Sequence, residues 1–308
     1  MLSRHPLFGC EWRHGSAPSK SYIVLLVDLA DVRRLVIIAM FSDDVLFGKL
    51  VLKGGNAISL IYKYGARGSL DVDFSIEGEF EDTEDAARRI TRALTDRFDA
   101  AGFIVFDCAF GPRPLTPSVD NPKWGGYRIQ FKIIERDKHR RFNGELDAIR
   151  RNATVIGPVQ QRVFNIDISR WEFCEGKTET KLDEFAIYVY TPPMLAIEKI
   201  RAICQQMPEY PMRVAKTARA RDFYDIHVII EESKIDLSDR GNMELVRQIF
   251  AAKKVLLDLM GLIEKYREFH RQDWPSVEAT VGQGLKSFDF YFDYVLGVVK
   301  KLEPLWIK

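Results

Sequence analysis

A chain of 308 residues, 46% hydrophobic and 29% charged, has the composition of an ordinary water-soluble globular protein, with room for one large domain or two modest ones. Its net charge of +1 excludes a global basic field, so any contact with nucleic acid must rest on local patches. The four cysteines (Cys10, Cys108, Cys174 and Cys204) show no metal-type pairing, and without an export signal the expected setting is a reducing cytoplasm.

The first residues, to about position 20, read as a loose leader rich in Ser, Gly, His and Pro. The apolar run "YIVLLVDLADVRRLVIIAM" is interrupted by Asp28, Asp31, Arg33 and Arg34 and never reaches the ~20 uncharged residues of a membrane span. Residues 22–47 are expected to be helical instead. "VLKGGNAISLIYKY" reads as a short approach, a glycine turn and a helix. "SLDVDFSI" alternates strictly, with Leu70, Val72, Phe74 and Ile76 on one face and Asp71, Asp73 and Ser75 on the other, the period of a strand. "TEDAARRITRALTDRFDAAG" predicts an amphipathic helix capped by Thr83 and stopped by Gly102. Strands are expected at "FIVFDCAF", "GYRIQFKII", "RVFNIDISRWEF" and "EFAIYVYT", with a proline-rich loop after the first and a basic helical segment over 136–151. From Pro192 and Pro193, which suit a helix start, helical periodicity runs to the end. This shift predicts an α+β chain: an N-terminal leader and helical segment (1–47), a mixed-sheet domain (48–191) and an α-helical domain (192–308).

Side chains two apart in a strand lie on the same side about 7 Å apart, so Asp71 and Asp73 can grip hard cations between them. Asp167 sits on a strand of matching pattern; if the two strands are neighbours, all three carboxylates share one surface. Three carboxylates and two Mg²⁺ (or Mn²⁺) ions about 4 Å apart serve an in-line displacement at phosphorus. The plain alternative is a solvated strand face. Gly54 and Gly55, ahead of a helix, offer an anion backbone N–H groups unobstructed by side chains; the plain alternative is a tight turn.

The order Gly-Gly, helix, D-x-D strand and later strand aspartate resembles the nucleotidyltransferase superfamily of DNA polymerase β-like folds. More narrowly, "LKGGNAISL" followed by "RGSLDVDF" resembles the AbiEii family of abortive-infection, phage-defence toxins, the enzyme half of type IV toxin–antitoxin pairs. The family pattern K-G-G, helix, R-x-S-x-D-x-D is met by Lys53, Gly54, Gly55, Arg67, Ser69, Asp71 and Asp73. "PPMLAIEKIRAI" resembles the family helix that carries a lysine, here Lys199. "RARDFYDIHVII" resembles its R-D-x-x-D motif, here Arg221, Asp222 and Asp225. The resemblance implies a nucleotidyltransferase-like mixed-sheet domain followed by a helical one. It implies Asp71, Asp73, Asp167, Lys199 and Asp222 as catalytic residues, the first three as metal ligands. Lys53, Gly54, Gly55, Arg67, Ser69, Arg221 and Asp225 then surround the NTP substrate. The implied acceptor is RNA, foremost the 3′ end of tRNA, and the implied partner an antitoxin encoded nearby, with no membrane.

Elementary chemistry fits these late motifs. Lys199 lies at the margin of a stripe made by Ala196, Ile200, Ile203 and Met207, from which its charge could meet a triphosphate; a solvated lysine is the alternative. Asp222 and Asp225 share a helix face, where one could orient Lys199 or Arg221, or simply form a surface ion pair. Arg213, Lys216, Arg219 and Arg221 make a basic margin for a phosphate backbone, and Trp124 could stack a base or plug its own loop. The five histidines show no spacing for a zinc site. A nucleotidyltransferase acting on a small molecule or a protein, and a non-catalytic relative that binds nucleotide or a partner, are the competing readings. Intact Asp71, Asp73, Asp167 and Lys199 argue against the idle one.

Overall fold

The computed structural model describes residues 28–307 apart from 66–68, 70, 116–123, 157–159 and 214; the expected leader and Arg67 lie outside the described residues. Helices α1 (Leu29–Phe41) and α2 (Asp44–Lys49) start on aspartate caps, Asp28 accepting from the N–H of Ala30 and Asp43 from those of Val45 and Leu46. Among the described residues no helix is long and apolar enough to cross a membrane.

Seven strands form one mixed sheet: β1 (Val51–Lys53), β2 (Val72–Ser75), β3 (Phe103–Arg113), β4 (Gly126–Glu135), β5 (Phe164–Ser169), β6 (Thr178–Leu182) and β7 (Phe185–Val189). Their order is β3-β4-β5-β2-β1-β7-β6. The β2–β5 and β1–β7 pairs are parallel and the rest antiparallel. Val72, Phe74 and Ile76 are buried as the alternation predicts, but Ser75 is buried too, so β2 is covered on both faces. The strand β6, "TETKL", escapes sequence reading. It is a polar edge strand, mostly exposed, and has no apolar face to alternate.

Between β1 and β2 the chain makes one turn, α3 (Gly54–Asn56), that widens into a π-helix over Ala57–Ile61. Helix α4 (Thr83–Ala100) is capped by Asp82 rather than by Thr83. The Asp82 carboxylate accepts from the N–H groups of Glu84 (2.8 Å) and Asp85 (2.9 Å), which leaves Thr83 as the first helical residue. The basic segment splits into α5 (Arg136–Arg140) and α6 (Leu146–Arg151), because Asn143 and Gly144 turn left-handed between them, at φ 45° and 84°.

Prolines at the first two positions open α7 (Pro192–Cys204), three residues after the last strand ends. The expected one-sided stripe is not what forms. From Met194 to Cys204 only Glu198 escapes full burial, because α7 packs against α8 (Ala220–Ser233) and α9 (Arg240–Ala252). Helices α10 (Arg267–Arg271), α11 (Trp274–Val281) and α12 (Phe288–Lys301) complete the helical part, where Phe223 stacks on Phe292 with ring centroids 4.8 Å apart. Lys199 is therefore a buried cation on a central helix, which decides its chemistry below.

Candidate active site

The strand registers set four charged side chains in a row across the sheet. Arg128 on β4 faces Asp167 on β5, Asp167 faces Asp73 on β2, and Asp73 faces Lys53 on β1. Registered partners point to the same side of a sheet, so two carboxylates stand side by side with one cation at each end. Asp71, two residues before Asp73, accepts from Asn165 Nδ2 at 3.2 Å, and its backbone carbonyl accepts from Asn56 Nδ2 at 2.6 Å.

This row is short of positive charge at its centre. Burial raises the Asp73 carboxyl to about 7; Lys53 opposes this, but Asp167, Glu198 and Asp71 add to it. Burial raises Asp71 as well, aided by Asp167 and resisted by Asn165 and Arg128. Two hard oxygen donors, both pushed toward protonation, fit a divalent cation. Asp167, the third expected metal ligand, is engaged by arginines in this structure. Arg128 grips both its oxygens as a fork at 2.7 Å each, and Arg113 donates to it as well. Among the described residues no group of three His, Cys, Asp or Glu side chains is gathered to hold a metal.

The glycine pair has a packing reason that the sequence did not reveal. Gly54 has φ 70°, and a Cβ there would sit 2.7 Å from Asp73 Oδ2; a Cβ on Gly55 would sit 2.8 Å from the Cβ of Ser69. The two glycines thus let the loop close onto the residues of the R-x-S-x-D-x-D segment. We expect Gly54→Ala to cost at least about 1–3 kcal/mol from its backbone strain and to displace Asp73. A thermal melt and a transfer assay check it, and unchanged values in both would refute the packing argument.

Facing the row, a cleft of about 640 Å³ is lined by Lys53, Asp73 and Asp167 from the sheet, by Gly54, Gly55 and Ser69 from the connection between β1 and β2, and by Lys199, Arg221 and Asp222 from the helices. Asp71 and Asp225 stand outside its lining. Lys199 Nζ lies 3.0 Å from Asp222 and 2.8 Å from Asp225, with all three side chains at most 8% exposed. Burial works against the ammonium, yet the two aspartates raise its pKa above the usual lysine range. Asp222 also accepts from Arg219. Burial works against its charge too, but Arg219 and Lys199 together hold it well below the usual carboxylate range. Arg213 and Arg219 line the cleft, as does Trp124, whereas Lys216 is committed to the carbonyls of Tyr210 (2.6 Å) and Gln205 (3.4 Å).

A second ion network was missed by sequence reading. Glu172 lies within 3.4 Å of Lys53, 3.0 Å of Arg201 and 3.6 Å of Lys253, and Glu198 bridges Lys53 and Arg201. Burial would raise Glu172, but Arg201, Lys53 and Lys253 overcome it and hold the carboxyl at about 2. The available signal was "EKIR": three charged residues inside an otherwise apolar helix are costly unless paired.

A family model described as the nucleotidyl transferase AbiEii toxin of type IV toxin–antitoxin systems matches residues 36–294. Among solved structures, the chain is similar to a candidate nucleotidyltransferase from H. pylori, with 16% identity, 91% of this chain and 97% of that chain covered, and a TM-score of 0.44. It is similar also to an antigenic nucleotidyltransferase-like protein from Paracoccidioides brasiliensis, with 13% identity, 77% and 92% coverage, and a TM-score of 0.35. No curated protein matches the sequence.

Proposed function

The chain belongs to the AbiEii nucleotidyl transferase toxin family, and from that premise we propose a metal-dependent enzyme that moves a nucleoside monophosphate from an NTP to an RNA acceptor, foremost the 3′ end of tRNA. Membership makes it a nucleotidyltransferase toxin of a type IV toxin–antitoxin system, with an antitoxin as its functional partner. The observation that carries the finer reading is geometric: Asp73 and Asp167 stand in register on neighbouring strands and line a cleft shared with Lys199, Arg219 and Arg221.

In this reading an acceptor oxygen bonds to the α-phosphorus while the bond to the β-phosphate oxygen breaks and pyrophosphate leaves. Asp71 and Asp73 would hold the Mg²⁺ (or Mn²⁺), and Asp167 would join them by exchanging its arginine partners. Bound there, the ion would supply charge stabilisation at the reacting phosphate and activation of the acceptor hydroxyl. Ser69 and the bare backbone of Gly54 and Gly55 border the phosphates. Lys199, held by Asp222 and Asp225, would offer the phosphates a fixed ammonium donor on the opposite wall, its charge balanced there by the two aspartates. Arg113, Arg219 and Arg221, with Trp124, give an RNA strand both charge and an aromatic face.

The test is incubation of the protein with each α-labelled NTP and total RNA, with Mg²⁺ or with EDTA. Label should enter RNA of tRNA size in the presence of Mg²⁺ alone. Label entering protein or small molecules while RNA stays blank would replace the acceptor, and transfer undiminished in EDTA would remove the metal.

A further inference from the structure

One stretch of the cleft wall gathers four cations, Lys53, Arg201, Arg213 and Lys253. Among the described residues Lys53, Arg201 and Lys253 form their ion pairs with Glu172 and Glu198, Lys53 also faces Asp73, and Lys253 Nζ donates to the carbonyl of Arg170. Arg213, on the same cleft, donates to the carbonyl of Ala215 and to Thr217 Oγ1, and pairs with no carboxylate among the described residues. The crowding shows in the ionisation of these groups. Burial, with Arg201 and Lys53, brings the Lys253 ammonium down to about 8 although Glu172 resists. Burial and then Arg219 lower Arg213 as well, against Asp222.

Arg201 adds an independent sign. It is 2% exposed, lines this cleft, and its Nε and Nη1 have no hydrogen-bond partner among the described residues. Orphaned donors on a buried guanidinium are rare, because each loses its hydration without recompense. An acceptor-rich anion seated between Lys253 and Arg213 would give Arg213 a negative partner and Arg201 the missing acceptors.

We propose that Lys253 and Arg213, backed by Arg201, form a phosphate-binding subsite for the polyphosphate chain of the nucleotide, an assignment that rests on the nucleotidyltransferase reading above. Adjacent phosphates carry several negative oxygens in a row and match cations spread along a wall, whereas an internal RNA phosphodiester offers one charge at a time. Lys253 comes from the turn after α9, so this subsite makes the helical part a direct contributor to substrate binding.

Isothermal titration tests it with inorganic pyrophosphate, inorganic phosphate and a short RNA oligonucleotide lacking terminal phosphates, each against the full chain. Lys253→Gln leaves Glu172 paired with Lys53 and Arg201 and keeps a donor for the Arg170 carbonyl, and a thermal melt of each variant separates lost binding from lost fold. Lys253→Gln and Arg213→Gln should each weaken pyrophosphate binding roughly tenfold or more, with inorganic phosphate weaker throughout and RNA unchanged. Lys254→Gln, at the exposed neighbouring residue, should match the wild type. Arg201→Lys keeps a cation for Glu172 and Glu198 but removes the fork, and should weaken pyrophosphate too. Equal pyrophosphate binding in the Lys253 and Arg213 variants, or a loss confined to the RNA arm, overturns the subsite. If pyrophosphate binding depends on these residues but no NTP labels any acceptor, the transfer reading falls and the subsite stands. Transfer without that dependence leaves the reverse.

Discussion

Asp73→Asn is expected to lose nucleotidyl transfer by roughly 10³-fold or more while melting higher than the wild type at pH 8 without metal. The first effect follows from removing a metal donor at the reacting phosphate. The second follows from linkage. The folded protein raises this carboxyl from its ordinary 3.8 to about 7, through burial first and then Asp167, Glu198 and Asp71. A raised folded pKa gives stability that is fully present below about 3.8 and lost as pH rises through about 7. At pH 8 the wild type therefore holds an unfavourable charge that asparagine lacks. Allowing for water that reaches the carboxylate, the variant gains on the order of 2 kcal/mol. At pH 4 the two melting curves should converge. Mg²⁺ should raise the wild-type melting temperature at pH 8 and leave the variant unmoved. A variant that transfers label at the wild-type rate would remove Asp73 from the chemistry. One less stable than the wild type at pH 8 would show that no charge strain exists.

The row that produces this behaviour was half legible in the sequence. Alternation in "SLDVDFSI" and "VFNIDIS" announces strands and says which side the aspartates take, because a period of two fixes the face. It does not fix register. That Asp167 lies opposite both Asp73 and Arg128 depends on how β5 slides between β2 and β4, a choice made by packing along the whole sheet. Nor does the sequence show why Gly54 must be glycine, since its reason is an Asp73 oxygen arriving from 19 residues away. Glu172, Arg201 and Lys253 come from a loop after β5, from α7 and from the turn after α9, with no shared local motif. Local rules also erred by one residue at α4, where Thr83 is a fair cap but Asp82 is the stronger acceptor one position earlier.

Lys199→Met is expected to cost about 3–5 kcal/mol of stability, as well as transfer, because it leaves a buried group of carboxylates short of one cation. Lys199 Nζ lies 3.0 Å from Asp222 and 2.8 Å from Asp225, and the three side chains are 8%, 6% and 5% exposed. Asp222 keeps Arg219 after the change, while Asp225 loses its ammonium neighbour. A lost reaction in this variant alone would therefore not separate chemistry from collapse of the cleft wall. The double variant Lys199→Met/Asp225→Asn does so. It removes one negative charge with the positive one, so a large part of the stability should return, with a coupling energy of about 1–3 kcal/mol between the two sites. Transfer should stay lost, because no positive charge remains on that wall at the position of Nζ. If activity returns in step with the melting temperature, Lys199 serves the fold of α7 against α8 and not the phosphates. If the single variant melts like the wild type, the pairing with Asp222 and Asp225 stabilises nothing, and the buried-cation account of this helix fails.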